Sequence, residues 1–140
     1  YQPAFSVSKN SAQSDIATST DVTVTWPTEI FDVGSDFSGN TFTAPVTGKY
    51  QLNLMLRLDN VDNFAAYYIV SFFTSNRHYR FIAQPGFTSD LVYNGYSASV
   101  LADMDANDTV YVTVNQGAGT SQTDIAGDVS YQNFSGYLVA

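Results

Sequence analysis

Apolar and polar positions alternate along most of this chain, and the period is two. The plainest case is residues 50–59. Tyr50, Leu52, Leu54, Leu56 and Leu58 share one parity, and Gln51, Asn53, Met55 and Arg57 share the other. Successive side chains on a strand point to opposite faces, so this spacing predicts a strand with one buried face and is hard to read as a helix. Residues 22–26 alternate in the same way until Pro27, which cannot donate to a sheet ladder, ends the run. Residues 4–8, 110–114 and 134–139 predict further strands. Residues 93–101 set Tyr93, Gly95, Ser97, Ser99 and Leu101 against Asn94, Tyr96, Ala98 and Val100. Residues 65–74 are apolar almost throughout, which predicts a strand covered on both faces. Shorter extended pieces begin at Ile30 and Thr41, and Ser75-Asn76 turns the chain into residues 77–83.

Between these runs lie polar segments at 11–20, 34–40, 103–108 and 117–128, rich in Ser, Thr, Gly, Asn and Asp. The resulting eight to ten strands, without a helix signal, predict an all-β sandwich of two antiparallel sheets, because a lone sheet would leave one apolar face wet. No internal repeat is evident, which disfavours propellers and solenoids. The 140 residues fit one domain, 1–140. A start at Tyr1 rather than Met predicts a domain excised from a longer chain.

Composition narrows the partners. The formal charge is -8, from 13 acidic and 5 basic residues. Phosphate binding needs clustered Lys and Arg, so nucleic acid is excluded as the expected partner, and an acidic surface disfavours anionic membranes. No run of 18 apolar residues exists, so no membrane insertion by a helix is expected. The chain has no cysteine, which removes disulfides, thiolate nucleophiles and thiolate metal sites. Charged residues make up only 13%, and Ser, Thr, Asn and Gln supply the polarity, a style that suits an extracellular or virion-associated domain.

Four segments, in order, carry a family resemblance. They are Pro3-Ala4-Phe5-Ser6-Val7; Phe42-Thr43-Ala44-Pro45 with Gly48-Lys49-Tyr50; Asn107-Asp108-Thr109-Val110-Tyr111-Val112; and Phe134-Ser135-Gly136-Tyr137-Leu138-Val139. Together they resemble the globular head of complement component q, with Asn107 where that family usually has Gly. The resemblance implies a ten-stranded jelly roll shared with the tumour necrosis factor superfamily, and a compact homotrimer that recognises ligands through outer loops. Residues 60–93 do not match vertebrate members. The Ser/Thr/Asn-rich style is closer to bacterial or phage members, which sit at the ends of virion fibres. In such a trimer, Tyr67 and Tyr68, in the run apolar on both faces, are expected at the subunit interface, together with Phe5, Phe134 and Tyr137.

The same residues have physical readings of their own. Gly48 is expected to allow a tight turn, and Gly136 a close approach by an aromatic ring or a backbone. Trp26, Phe87, Tyr93, Tyr96 and Tyr131 lie near loops or strand ends and are the candidates for stacking on a glycan, against the plainer reading of core or interface. Residues 103–107 begin like a calcium loop, as D-x-D-x-N, which makes Asp103, Asp105 and Asp108 the metal candidates, but Asp108 sits where a helix-loop-helix site needs Gly, and Val114 where it needs Glu. A β-turn is the plainer reading and a carboxylate-and-carbonyl calcium site the alternative; residues 59–63 carry similar oxygen density. Calcium is thus the one cofactor considered.

Catalysis finds little support. His78 is the only histidine and lies between Arg77 and Tyr79, with Arg80 following; no nucleophile elbow exists, and Glu29 is the single glutamate. The reading is a non-catalytic, trimeric recognition or adhesion domain for a glycan or protein ligand on a cell surface, placed at a fibre tip. The alternatives are a trimerisation or capping module without a ligand, and a carbohydrate-binding module of an enzyme.

Overall fold

A computed structural model describes residues 2–140. The element order is β1 (Ala4–Ser8), β2 (Val22–Thr23), β3 (Thr28–Val33), β4 (Phe37–Ser38), β5 (Thr41–Thr43), β6 (Gly48–Val61), β7 (Tyr68–Thr74), β8 (His78–Ala83), β9 (Leu91–Met104), β10 (Thr109–Gln116), β11 (Asp124–Ile125) and β12 (Asn133–Leu138). The strands beyond the expected eight to ten are two-residue pieces such as β4 and β11; β11 lies inside the polar segment read as loop. The clean alternation of residues 22–26 yields only Val22–Thr23 as strand. Val24 and Trp26 nonetheless point into the core.

The strands form two antiparallel sheets. In sheet one β12 pairs β1 and β6, β1 also pairs β3, and β6 pairs β9 along its length, with β11 continuing beyond β12. In sheet two the path runs β4-β5-β10-β7-β8, with β2 also on β10. Sequence-distant strands β1 and β12 are neighbours, as are β5 and β10, so the sheets are closed by long crossovers. Their inner faces meet in one aromatic core. Phe5 stacks on Phe42 at 4.6 Å between ring centroids and meets Phe134 edge-on at 4.9 Å, while Tyr50 lies edge-on to Phe42 at 5.7 Å. These offset and edge contacts suit the ring quadrupole.

The even positions of β6, from Tyr50 to Leu58, are all buried. On β9 the even set, Tyr96 to Met104, turns inward and the odd set outward, which follows from its register with β6. Two glycines are explained by close approach. A Cβ on Gly136 would lie 2.8 Å from Phe5 and 2.9 Å from Leu52, so the absent side chain makes room for the core rings. At Gly48 the expected tight turn is replaced by another close approach. A Cβ there would meet Leu138 at 2.6 Å and the Ala140 carbonyl oxygen at 2.7 Å. The C-terminal residues run alongside, and the Lys49 N–H donates to Ala140 at 2.9 Å. Asn107 adopts φ 74°, a left-handed conformation that Asn tolerates better than other side chains, which accounts for it in a glycine-like position.

Candidate functional site

Sheet one has a fully formed inner face and an outer face that is unusually apolar at its rim. The register places residues in rows across the strands. One row runs Val33, Ala4, Tyr137, Gln51 and Leu101. The next runs Phe31, Ser6, Ser135, Asn53 and Ser99. Leu101 is 55%, Phe31 47% and Tyr137 43% exposed, although each is a large apolar or aromatic side chain. The centre of the face is lined by Ser and Asn, small enough for a second surface to come close.

At the far end of β6 the same face carries Arg57. Its guanidinium lies 4.7 Å from the centroid of Tyr93 and 4.5 Å from that of Tyr131, so two rings flank one cation. Arg57 also pairs with Asp59 through two hydrogen bonds, 2.8 Å from Nε and 3.1 Å from Nη2. That hydrogen-bonded carboxylate pushes the Arg57 pKa further up, so the cation is permanent. The cluster borders a depression of about 470 Å³ that also takes in Met55, Gly95 and Ser97. A neighbouring depression of about 310 Å³ lies between Met55, Val129 and Asn133.

The glycan candidates therefore divide. Tyr93 and Tyr131 come together, held by Arg57, which along the sequence showed only as an outward position of a strand. Tyr96, three residues from Tyr93, faces the other way. It is buried, its hydroxyl accepts from Asn94 at 2.9 Å, and burial raises its pKa. Trp26 is a core residue, 4% exposed, and packs on Phe134, so it is not available to a ligand. Phe87 packs half-buried against the core.

The interface candidates divide as well. Phe5, Phe134 and Tyr68 lie inside the subunit at 0–1% exposure and cannot also face a neighbour. Tyr68 spends its hydroxyl on the Asp62 N–H, at 2.8 Å, and on Thr123 at 2.6 Å. Tyr67 is half-buried against Gly117, where a Cβ would sit 2.6 Å from the ring. Tyr137 alone lies on the outer face of sheet one.

The three acidic candidates do not converge. Asp103 receives two hydrogen bonds from Arg77, at 2.7 and 3.1 Å, and one from the Tyr79 hydroxyl at 3.1 Å. The Arg77 guanidinium holds its pKa below the ordinary aspartate range. The Asp108 carboxylate accepts from the Asp105 N–H at 2.8 Å, closing the turn between them. Among the described residues no three His, Asp or Glu side chains gather as a metal-ligand set. Asp62, in the other oxygen-rich segment, is a strut. It accepts backbone N–H groups from Thr120 at 2.6 Å, Phe64 at 2.9 Å and Ser121 at 3.0 Å. His78 stacks on Phe73 with 3.7 Å between ring centroids.

Residues 4–139 match the family model of the C1q domain. The chain belongs to the C1q domain family. Solved structures agree on the fold. The globular domain of zebrafish complement 1qA is 20% identical with a TM-score of 0.69, covering 100% of this chain and 98% of that one. Murine APRIL is 15% identical with a TM-score of 0.69, covering 99% and 100%. Eiger TNF from S. frugiperda is 12% identical with a TM-score of 0.67, covering 99% and 93%. No curated protein sequence matches the chain. The two-sheet sandwich is therefore the jelly roll common to the C1q and tumour necrosis factor folds.

Proposed function

We propose that the chain acts as a homotrimeric, non-catalytic recognition domain outside the cell, with the outer face of sheet one as its subunit interface. The observation that carries this is the exposure of Phe31, Val33, Met55, Leu101 and Tyr137 on one sheet face. An antiparallel sheet that faced only water would place polar side chains there. Several large apolar side chains exposed on one sheet face mark an interaction surface, and identical subunits around a closed symmetry axis cover such faces most simply. The small polar centre of the face allows close packing between the apolar rims.

Three copies would present each ligand site three times, so weak individual contacts sum to useful avidity. Adhesion at the tip of a fibre is a natural setting for that multivalency, and a glycan or protein on a cell surface is the partner class. Light scattering tests the assembly directly. A subunit is 15.3 kDa, and the expected mass is three times that, about 46 kDa. Leu101→Glu places a charge in the apolar row and should yield folded monomer. A monomeric parent protein, or a variant that stays trimeric, would overturn the interface assignment.

A further inference from the structure

The opposite surface, the outer face of sheet two, holds a second constellation that owes nothing to the subunit interface. The register sets it out in rows. His78, Phe73 and Tyr111 form one row, and Arg80, Ser71, Thr113 and Thr23 form the next. The first row is an aromatic wall: Phe73 stacks on Tyr111 at 5.3 Å and on His78 at 3.7 Å. The second row contains unmet hydrogen-bonding groups. Ser71 is 0% and Thr113 2% exposed, yet neither hydroxyl has a partner, and beside them the Asn115 side-chain carbonyl is also buried and unpaired. Buried polar groups are normally satisfied, so a cluster of three orphans on one patch calls for an explanation.

Arg80 supplies a second, independent sign. Arg57 and Arg77 are each locked to a carboxylate by two hydrogen bonds. The Arg80 guanidinium makes no hydrogen bond among the described residues. Its guanidinium lies 5.3 Å above Phe73 and 3.7 Å from Asp21, whose other oxygen accepts from Asn115 at 3.1 Å. Arg80 is the cross-strand partner of Ser71, which is in turn the partner of Thr113. It is a loosely held cation in a chain of net charge -8, with its side-chain donors unspent, in the same row as two unpartnered hydroxyls.

We infer that this patch binds an acidic saccharide, a uronate or another carboxylate-bearing sugar, on the outer face of sheet two. The carboxylate takes the planar fork of Arg80 in place of Asp21. As Arg80 turns to the carboxylate, the hydroxyls of its row neighbours Ser71 and Thr113, with the Asn115 carbonyl, pair with sugar hydroxyls. The apolar C–H face of the pyranose packs on Tyr111 and Phe73. A peptide is the weaker fit: an extended chain gains its affinity from backbone pairing along a sheet edge, and these groups lie on the face.

The test is a titration of the full-length, isotope-labelled protein followed by amide and arginine side-chain NMR, which reads local binding whatever the oligomeric state. A hexuronate tetrasaccharide should shift Ser71, Arg80 and Thr113 and bind at least 10-fold more tightly than the neutral hexose tetrasaccharide. Arg80→Gln and Tyr111→Ala should each weaken binding about 10-fold, Arg80→Lys should restore only part of it, and Lys49→Gln, which removes the same charge elsewhere, should not change it. Equal binding of the neutral sugar, shifts confined to Tyr93 and Tyr131, equal binding of acetate alone, or equal binding of an oligoglutamate peptide would each overturn the inference. Loss of binding only where the trimer is also lost would place the site at the interface and overturn it too.

Discussion

Gly136→Ala places a single methyl group against the most tightly packed part of the core. The new carbon would stand 2.8 Å from a Phe5 ring carbon, 2.9 Å from a Leu52 methyl and 3.1 Å from the Gln51 carbonyl oxygen. Ordinary contact needs about 3.5–4.0 Å, so all three neighbours must yield. Phe5 has little room to do so, being fully buried and stacked on Phe42 at 4.6 Å. Overpacking of this kind costs about 1–3 kcal/mol, while replacing Gly by Ala returns about 0.4–1 kcal/mol by restricting the unfolded chain. The net loss is then at most about 2.6 kcal/mol, and at roughly 4 °C per kcal/mol for a domain of this size the melting midpoint falls by up to about 10 °C. Differential scanning calorimetry at fixed protein concentration reads this directly, since the midpoint of an oligomer depends on concentration. Gly86→Ala is the matched control. A Cβ there meets nothing within 4 Å, so only the entropic gain applies and the midpoint should hold or rise. Leu52→Val removes the methyl that the new carbon meets, so the double variant should be more stable than the sum of the single losses predicts. A midpoint for Gly136→Ala as high as that of Gly86→Ala, or strict additivity with Leu52→Val, would refute the packing argument.

Other outcomes follow from the same geometry. Burial pushes the Asp62 carboxyl up, but the N–H donors of Ser121, Phe64 and Thr120 outweigh it and hold the pKa below the ordinary value. Its stabilisation is therefore complete above the unfolded value near 3.9 and is lost as pH falls through the folded pKa; Asp62→Asn should cost about 2 kcal/mol at pH 7 and flatten the acid limb of the stability curve measured by urea unfolding. Asn107→Val forces a β-branched residue to φ 74° and should cost about 1–2 kcal/mol in the same assay, whereas Asn107→Gly should stay within about 0.5 kcal/mol of the parent. Because Asp103 is taken up by Arg77 and Tyr79, a calcium chelator should leave the light-scattering mass unchanged; dissociation on chelation would show that the acidic loops of different subunits share a metal.

Much of the fold was legible along the chain because a strand with one buried face writes a period of two into its sequence. That rule located β6 and β9 and, through parity alone, set Tyr93 and Tyr96 on opposite faces, although both stood as glycan candidates until the fold buried Tyr96. Four segments spread along the chain carried the family resemblance that pointed to the jelly roll, and the close approach at Gly136 was readable because a glycine inside an apolar strand needs a reason. Parity does not say what lies across a sheet, and here the reading of sites failed. Phe5 and Phe134 were assigned to a subunit interface, yet they face each other inside one subunit, since β1 and β12, more than a hundred residues apart in sequence, are neighbours. Trp26 sits outside any strand at a Pro-terminated end, a position that looked exposed until the opposing sheet closed over it. The pairing of Tyr93 with Tyr131 through Arg57, and the row joining Arg80, Ser71 and Thr113, depend on strand register between distant segments. The sequence by itself determined which positions of a strand share a face, because that is a local property of extended backbone. Only the tertiary structure decided which outward residues share a surface, because hydrogen-bond register between non-neighbouring strands is settled by the packing of the whole core.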